Sequence, residues 1–197
     1  MNNQLRNLLR MLWVLGKTLP ESLTLRQLAK EAKIPYPTAY RTVKRYESLF
    51  SIKRKGNLNL CSLHLEDLLI KHYLIIAERQ EADDFLGKEQ KLALIRAELP
   101  GGDYACILFG SRADRTQREK SDIDLCIINT DGSKNVSFSK YDLLFKLDIN
   151  PIYLKKTEFQ QMLGEKQRNL SHEILSRHII LHGEECFWDI AYPWASR

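Results

Sequence analysis

Apolar residues return along this chain in two rhythms, one helical and one of short extended runs, and the places where the rhythm changes divide it. From Asn3 to Leu15, Leu5, Leu8, Leu9, Leu12 and Trp13 recur at helical spacing and make one broad apolar face. Gly16 and Pro20 close that helix. Thr24 is placed to cap a second helix, Leu25 to Ala32, with Leu28 and Ala29 inward. Lys33-Ile34-Pro35 is a break, and Pro37 starts a third helix, Thr38 to Ser48. Leu49 to Lys53 then reads as a strand, Lys55-Gly56-Asn57 as a turn, and Leu58 to Cys61 as the returning strand.

The next stretch is helical. Leu65 to Ala77 carries Leu65, Leu68, Leu69, Tyr73 and Ile76 on one face, and Glu81 to Leu99 forms a second helix that Pro100-Gly101-Gly102 stops. No Ser/Gly-rich linker interrupts it. Two apolar runs follow, Tyr104 to Phe109 and Leu125 to Ile128, each short and β-prone enough for a buried strand. Tyr141 to Leu147 fits helix or strand, Ile152 to Leu154 a strand, Lys156 onward a helix, and Glu165 to Ile180 a further helix. Trp188 and Trp194 pack the tail down. The organisation expected is residues 1–63, a helical connector over 64–100, and a domain over 101–197 that takes up the connector's second helix.

Composition changes this picture little. The apolar share of 44% is ordinary for a globular protein. No run approaches a membrane span, and the first residues lack a secretory pattern. Cys61, Cys106, Cys126 and Cys186 are scattered without a Cys-x-x-Cys pair, which points to a reduced, cytoplasmic protein without a zinc site. Charge matters more. Residues 1–62 hold 12 Lys+Arg against 3 Glu, while the remainder holds 18 Lys+Arg against 22 Asp+Glu. The basic first part suggests a polyanionic partner.

Chemistry concentrates between the two predicted strands. Gly110-Ser111 interrupts the first, a ten-residue polar segment follows, and Asp122 and Asp124 stand at the mouth of the second. Strand residues two apart share a face, so both carboxylates project together. Two such groups repel unless something positive lies between them, and a hard divalent cation with phosphate oxygens satisfies them. Glycine permits close approach of backbone to a phosphate, and the serine hydroxyl and nearby amides hydrogen-bond its oxygens. Arg112, Arg115 and Lys120 either contact those phosphates or are solvated loop charges. His178 and His182 have a helical metal-ligand spacing, yet Gly183 ends the helix there, so His172, His178 and His182 read as surface or capping residues.

Gly110, Ser111, Asp122 and Asp124 resemble the signature of the nucleotidyltransferase superfamily, Gly-Ser, ten residues, Asp-x-Asp, and most closely its minimal members. Arg112-Ala113, Ser121 and Leu125 extend the likeness. It implies an α+β fold, an α/β nucleotidyltransferase domain with a mixed sheet. It further implies nucleotide binding by Gly110, Ser111, Arg112 and Ser121, and Mg²⁺ or Mn²⁺ on Asp122 and Asp124. The implied reaction, of the EC 2.7.7 type, moves a nucleoside monophosphate from a nucleoside triphosphate, ATP foremost, to a hydroxyl of a protein, a nucleic-acid end or a small molecule. Many active members place a third carboxylate on the following strand. Ile152 falls there in this chain, and Asp148, of the same strand parity, is the candidate substitute or else an exposed turn residue.

Leu25 to Tyr46 with its basic hairpin resembles a winged helix-turn-helix domain, which implies double-stranded DNA as partner. Thr38, Tyr40, Arg41, Lys44 and Arg45 form the outward set on the third helix. Arg41 or Arg45 suits a guanine, and Lys44, Lys53, Arg54 and Lys55 suit phosphates. The same fold also serves as a protein-docking module. Two readings of the whole chain follow: an enzyme with a DNA-binding module, or a DNA-binding regulator whose second domain senses a nucleotide or pairs subunits as a homodimer.

Overall fold

The computed structural model describes residues 2–116, 122–134, 136–145 and 147–196. The chain divides into two compact units, residues 1–80 and 81–195.

The first unit opens with helix α1 (Asn3–Lys17), whose N-cap Asn2 accepts from the Gln4 amide at 3.0 Å. Its apolar stripe buries Leu8, Leu9, Met11, Leu12 and Leu15, and each such side chain contributes about 1.5–3 kcal/mol through removal from water. A two-residue strand β1 (Leu23–Thr24) leads into α2 (Leu25–Glu31). Thr24 caps α2 in a reciprocal box with Gln27. Helix α3 (Tyr36–Arg45) starts with Pro37 in its first turn, where the missing N–H costs nothing. A short 3₁₀ turn, Glu47–Leu49, passes into β2 (Phe50–Lys55), and Gly56, at φ +59, turns the chain into β3 (Leu58–Leu63). The antiparallel sheet has the order β1-β3-β2. Thus α3 begins two residues before Thr38 and ends before Ser48, and both hairpin strands extend past the bounds expected of them.

The two helices of the connector divide elsewhere than expected. Helix α4 runs from Leu69 to Leu86 without a break at Ala77, and α5 spans Gln90–Ala97. Ala77-Glu-Arg-Gln-Glu81 contains only good helix formers, while Gly87 supplies the stop.

The second unit is built on a mixed four-stranded sheet of order β6-β5-β4-β7. Strands β4 (Ala105–Phe109) and β5 (Ile123–Asn129) are its centre, antiparallel to each other and buried almost throughout. A four-residue helical turn, α6 (Gly110–Ala113), follows β4 directly. After β5 the chain forms α7 (Ser139–Phe145) and returns as β6 (Ile149–Lys155), parallel to β5. Helices α8 (Lys156–Leu163) and α9 (Leu170–Ser176) precede β7 (His178–His182), which pairs antiparallel with β4. Helix α10 (Glu184–Ala195) closes the unit and buries Phe187 and Trp188 against the layer that holds Phe159.

The expected helix from Glu165 to Ile180 is thus a short helix and a strand. Asn169 caps α9 through Ser171 and His172, and the β-branched pair Ile179-Ile180 belongs to the sheet. His178 is fully buried with Nδ1 at 2.9 Å from the carbonyls of Ile174 and Leu175. His182 stacks on Tyr104 at 4.4 Å. Both therefore have structural partners. All four cysteines are buried and free. Among the described residues no helix is long and apolar enough to cross a membrane.

Candidate functional site

Phe109 is the hub of the sheet's edge. It pairs with Asp124 on one side and with His178 on the other, while Asp124 pairs in turn with Asn150. Asn150, Asp124, Phe109 and His178 therefore stand abreast on four adjacent strands, which are spaced about 4.8 Å apart. The residues just beyond this row form the rim: Asp122 before β5, Gly110-Ser111 after β4 and Arg177 before β7.

Gly110 has φ +70, a left-handed conformation, and a Cβ placed on it would lie 2.5 Å from Asp124 Oδ2. The turn thus needs glycine twice, for its backbone and for the carboxylate laid against it. Asp114 N reaches back to the Gly110 carbonyl at 3.3 Å, and Thr116 N to that of Ser111 at 2.9 Å, which fixes the turn. Arg112 Nε donates to the Asp122 carbonyl at 3.2 Å and ties the turn to the mouth of β5.

Asp122 is exposed and Asp124 half-buried. Burial, with the negative charges of Asp122 and Glu173 added, holds the Asp124 carboxyl above the usual carboxylate range. The sequence suggested the first repulsion; the second comes from α9 and has no motif to announce it. A cation close to Asp124 would relieve both.

The third-carboxylate question has a geometric answer. The register sets Ile152 beside Cys126, two residues inward, and sets Asn150 beside Asp124. Asn150 Nδ2 donates to Asp122 Oδ2 at 3.3 Å. Asp148 is exposed just ahead of β6, and its backbone carbonyl accepts from Ile123 N at 2.7 Å. Among the described residues no group of three Asp, Glu, His or Cys side chains gathers to hold a metal ion. Two carboxylates nevertheless suit Mg²⁺, which binds through one or two of them and completes its shell with water and substrate phosphates. Ser121 and Lys120 lie outside the described residues. Arg115 has its guanidinium 5.3 Å above the Phe85 ring.

One cationic neighbour escaped the sequence reading. Arg177 Nη1 lies 3.1 Å from Asp114 Oδ2, so its guanidinium reaches the helical turn that Gly110 begins. With α9 read as continuing to Ile180, nothing drew Arg177 toward Gly110; only the strand that follows it does.

In the first unit the basic set divides around α3. Tyr40 and Lys44, with Arg26, Tyr36, Ile52 and Leu58, line a groove of about 730 Å³ toward the hairpin. Thr38, Arg41 and Arg45 face α1 instead, where Arg45 donates to Gln4. Lys53, Arg54 and Lys55 are exposed on β2.

Residues 104–185 match the family model described as "Polymerase beta, Nucleotidyltransferase". No curated protein and no solved structure matches the chain. The matched stretch runs from the threshold of β4 into α10 and contains every member of the rim, so this part of the chain is similar to nucleotidyltransferase domains. The general chemistry that goes with it is nucleotidyl transfer, on a nucleotide substrate with a divalent metal.

Proposed function

We propose that the protein transfers a nucleoside monophosphate from a nucleoside triphosphate, ATP foremost, to a hydroxyl acceptor, preferably on a protein, in the cytoplasm. In the same reading its first unit is a winged helix-turn-helix that binds double-stranded DNA. The observation that carries the catalytic part is the apposition of the Gly110 turn and the Asp124 carboxylate, so close that no side chain fits between them.

Gly110, Ser111, Arg112 and Ser121 would hold the phosphates, and Asp122 and Asp124 would hold Mg²⁺ or Mn²⁺. Bound there, the cation supplies positive charge against the phosphate oxygens. The acceptor oxygen attacks the α-phosphorus as the bond to the β-phosphate oxygen breaks and pyrophosphate leaves; the acceptor's proton passes to a carboxylate or to water. Asp148 is the carboxylate assigned to it here. The protein's own contribution is alignment: Gly110 lets the chain approach, and Arg112 keeps the turn in register with Asp122.

Incubation with labelled ATP, GTP, CTP or UTP and Mg²⁺ tests this. Label transfer that disappears in Asp122→Asn supports the enzyme. Nucleotide binding without transfer supports a second reading, a DNA-binding regulator that senses nucleotide or pairs copies of itself. Asn150 favours that second reading, because a neutral amide stands where the row along the sheet edge would accommodate a third acid.

A further inference from the structure

By its own charge the rim is a poor host for a polyanion. Asp122 and Glu173 both act electrostatically on Asp124, and Asp114 adds a further carboxylate next to the turn. Even with a divalent cation in place, a triphosphate entering such a field needs positive charge at its far end. Arg112, tied through Nε to the Asp122 carbonyl, serves the end of the phosphate chain next to the two carboxylates, and Arg115 lies against Phe85.

Arg177 has the position and the freedom for this task. Its backbone is fixed, since its amide closes α9 on the carbonyls of Glu173 and Ile174 at 3.0 and 3.3 Å. The next residue, His178, is paired with Phe109, so Arg177 stands at the strand end beside Gly110. Two strand spacings separate its backbone from the Asp124 strand, about 10 Å. An extended arginine side chain directed across the turn would meet the end of a phosphate chain whose other end lies at Asp122 and Asp124. Its present partner is a weak competitor. The Arg177–Asp114 pair is 55% and 23% exposed, and ion pairs this open to solvent contribute little. A phosphate oxygen pair offers the guanidinium a bidentate and more highly charged partner.

We infer that Arg177 is the binding residue for the terminal phosphates of the nucleoside triphosphate, held ready by Asp114 and exchanging that carboxylate for phosphate when the nucleotide enters. This rests on the nucleotide-binding reading above and extends it: the site distinguishes triphosphates from monophosphates through a residue on β7's leading edge. Asp114 has a regulatory effect on affinity, since it competes for the same guanidinium.

The experiment is calorimetric titration of the full chain with Mg²⁺ and the non-cleavable α,β-methylene analogue of ATP, and separately with AMP. Arg177→Ala is expected to weaken binding of the triphosphate analogue about tenfold or more, with AMP affinity changed less than about twofold, and Arg177→Lys to recover part of the loss. Asp114→Asn is expected to tighten binding of the analogue a fewfold, because it frees the guanidinium. The two single variants break the same ion pair, so a merely structural pair would make both lose affinity together. That result overturns the inference, as does an Arg177→Ala protein that binds the analogue like wild type or loses AMP equally. A wild-type protein that binds neither nucleotide is a different failure: it overturns the nucleotide-binding reading itself.

Discussion

Adding one methyl group at Gly110 and then removing the carboxylate it would strike tests the geometry on which the site depends. At φ +70 any residue with a Cβ adopts a left-handed conformation, which costs about 1–2 kcal/mol. The new Cβ also meets Asp124 Oδ2 at 2.5 Å and Cγ at 3.4 Å. The carboxylate must swing off its rotamer, for about another 0.5–1.5 kcal/mol. Gly110→Ala alone should therefore cost about 2–3 kcal/mol. In an Asp124→Ala background the nearest remaining atom, Asp124 Cβ, is at 3.6 Å, an ordinary contact, and only the backbone cost of about 1–2 kcal/mol should persist. The coupling between the two positions is then about 1 kcal/mol. Amide hydrogen exchange of the β4 and β5 segments measures it within the second unit, as a difference of about fivefold in exchange rate between backgrounds. Equal costs in the two backgrounds would refute the placement of the Asp124 carboxylate over the turn, and with it the proposed phosphate and metal arrangement.

Three further outcomes are expected. Asp124 holds its proton more tightly in the folded domain than in the unfolded chain, so the folded state is favoured at acid pH and loses that advantage as pH rises through the raised value; without divalent cation, Asp124→Asn should melt higher than wild type at neutral pH, with the gap closing toward acid pH, and an unchanged gap would refute the assignment. Gly183, at φ +77, has the Tyr104 carbonyl oxygen where a Cβ would go; Gly183→Ala should cost about 2–4 kcal/mol in urea unfolding, and a variant of wild-type stability would contradict the β4–β7 junction. If the first unit binds double-stranded DNA, a mobility shift should fade with salt and weaken in Arg41→Ala with Arg45→Ala, whereas no shift on any duplex tested would favour protein docking.

Much of the second unit was legible because its central strands need burial on both faces. Tyr104 to Phe109 and Leu125 to Ile128 are too short for helices and too apolar for loops, and their separation by Gly-Ser and Asp-x-Asp fixed where the chemistry belongs. The misreadings within the sheet share one cause. His178-Ile-Ile-Leu-His182 continues the apolar spacing of α9 well enough to pass for its last turns, and only pairing with β4, some seventy residues back, makes it a strand. Asn150 was hidden for the same reason. Asp122-Ile-Asp124 and Asp148-Ile-Asn150 lie side by side in parallel register, yet that register is decided by the crossover through α7, which no local pattern encodes. In the first unit, Thr24 announced the cap of α2, but its reciprocal partner Gln27 went unread and the two-residue β1 is too short to carry a periodicity.

The groups at the sheet edge arrive from four separate passages of the polypeptide, and the last of them, Arg177, is delivered only when β7 docks on β4. A nucleotide that touches all four would therefore recognise the finished sheet and no partial version of it. Its binding free energy would accrue to the whole assembly at once, so saturation with nucleotide should slow opening at β6 and β7, the two outermost strands, as much as at the centre. Such a ligand would act as a clasp across the breadth of the sheet, and an unliganded chain would be the more readily taken by proteases at those margins.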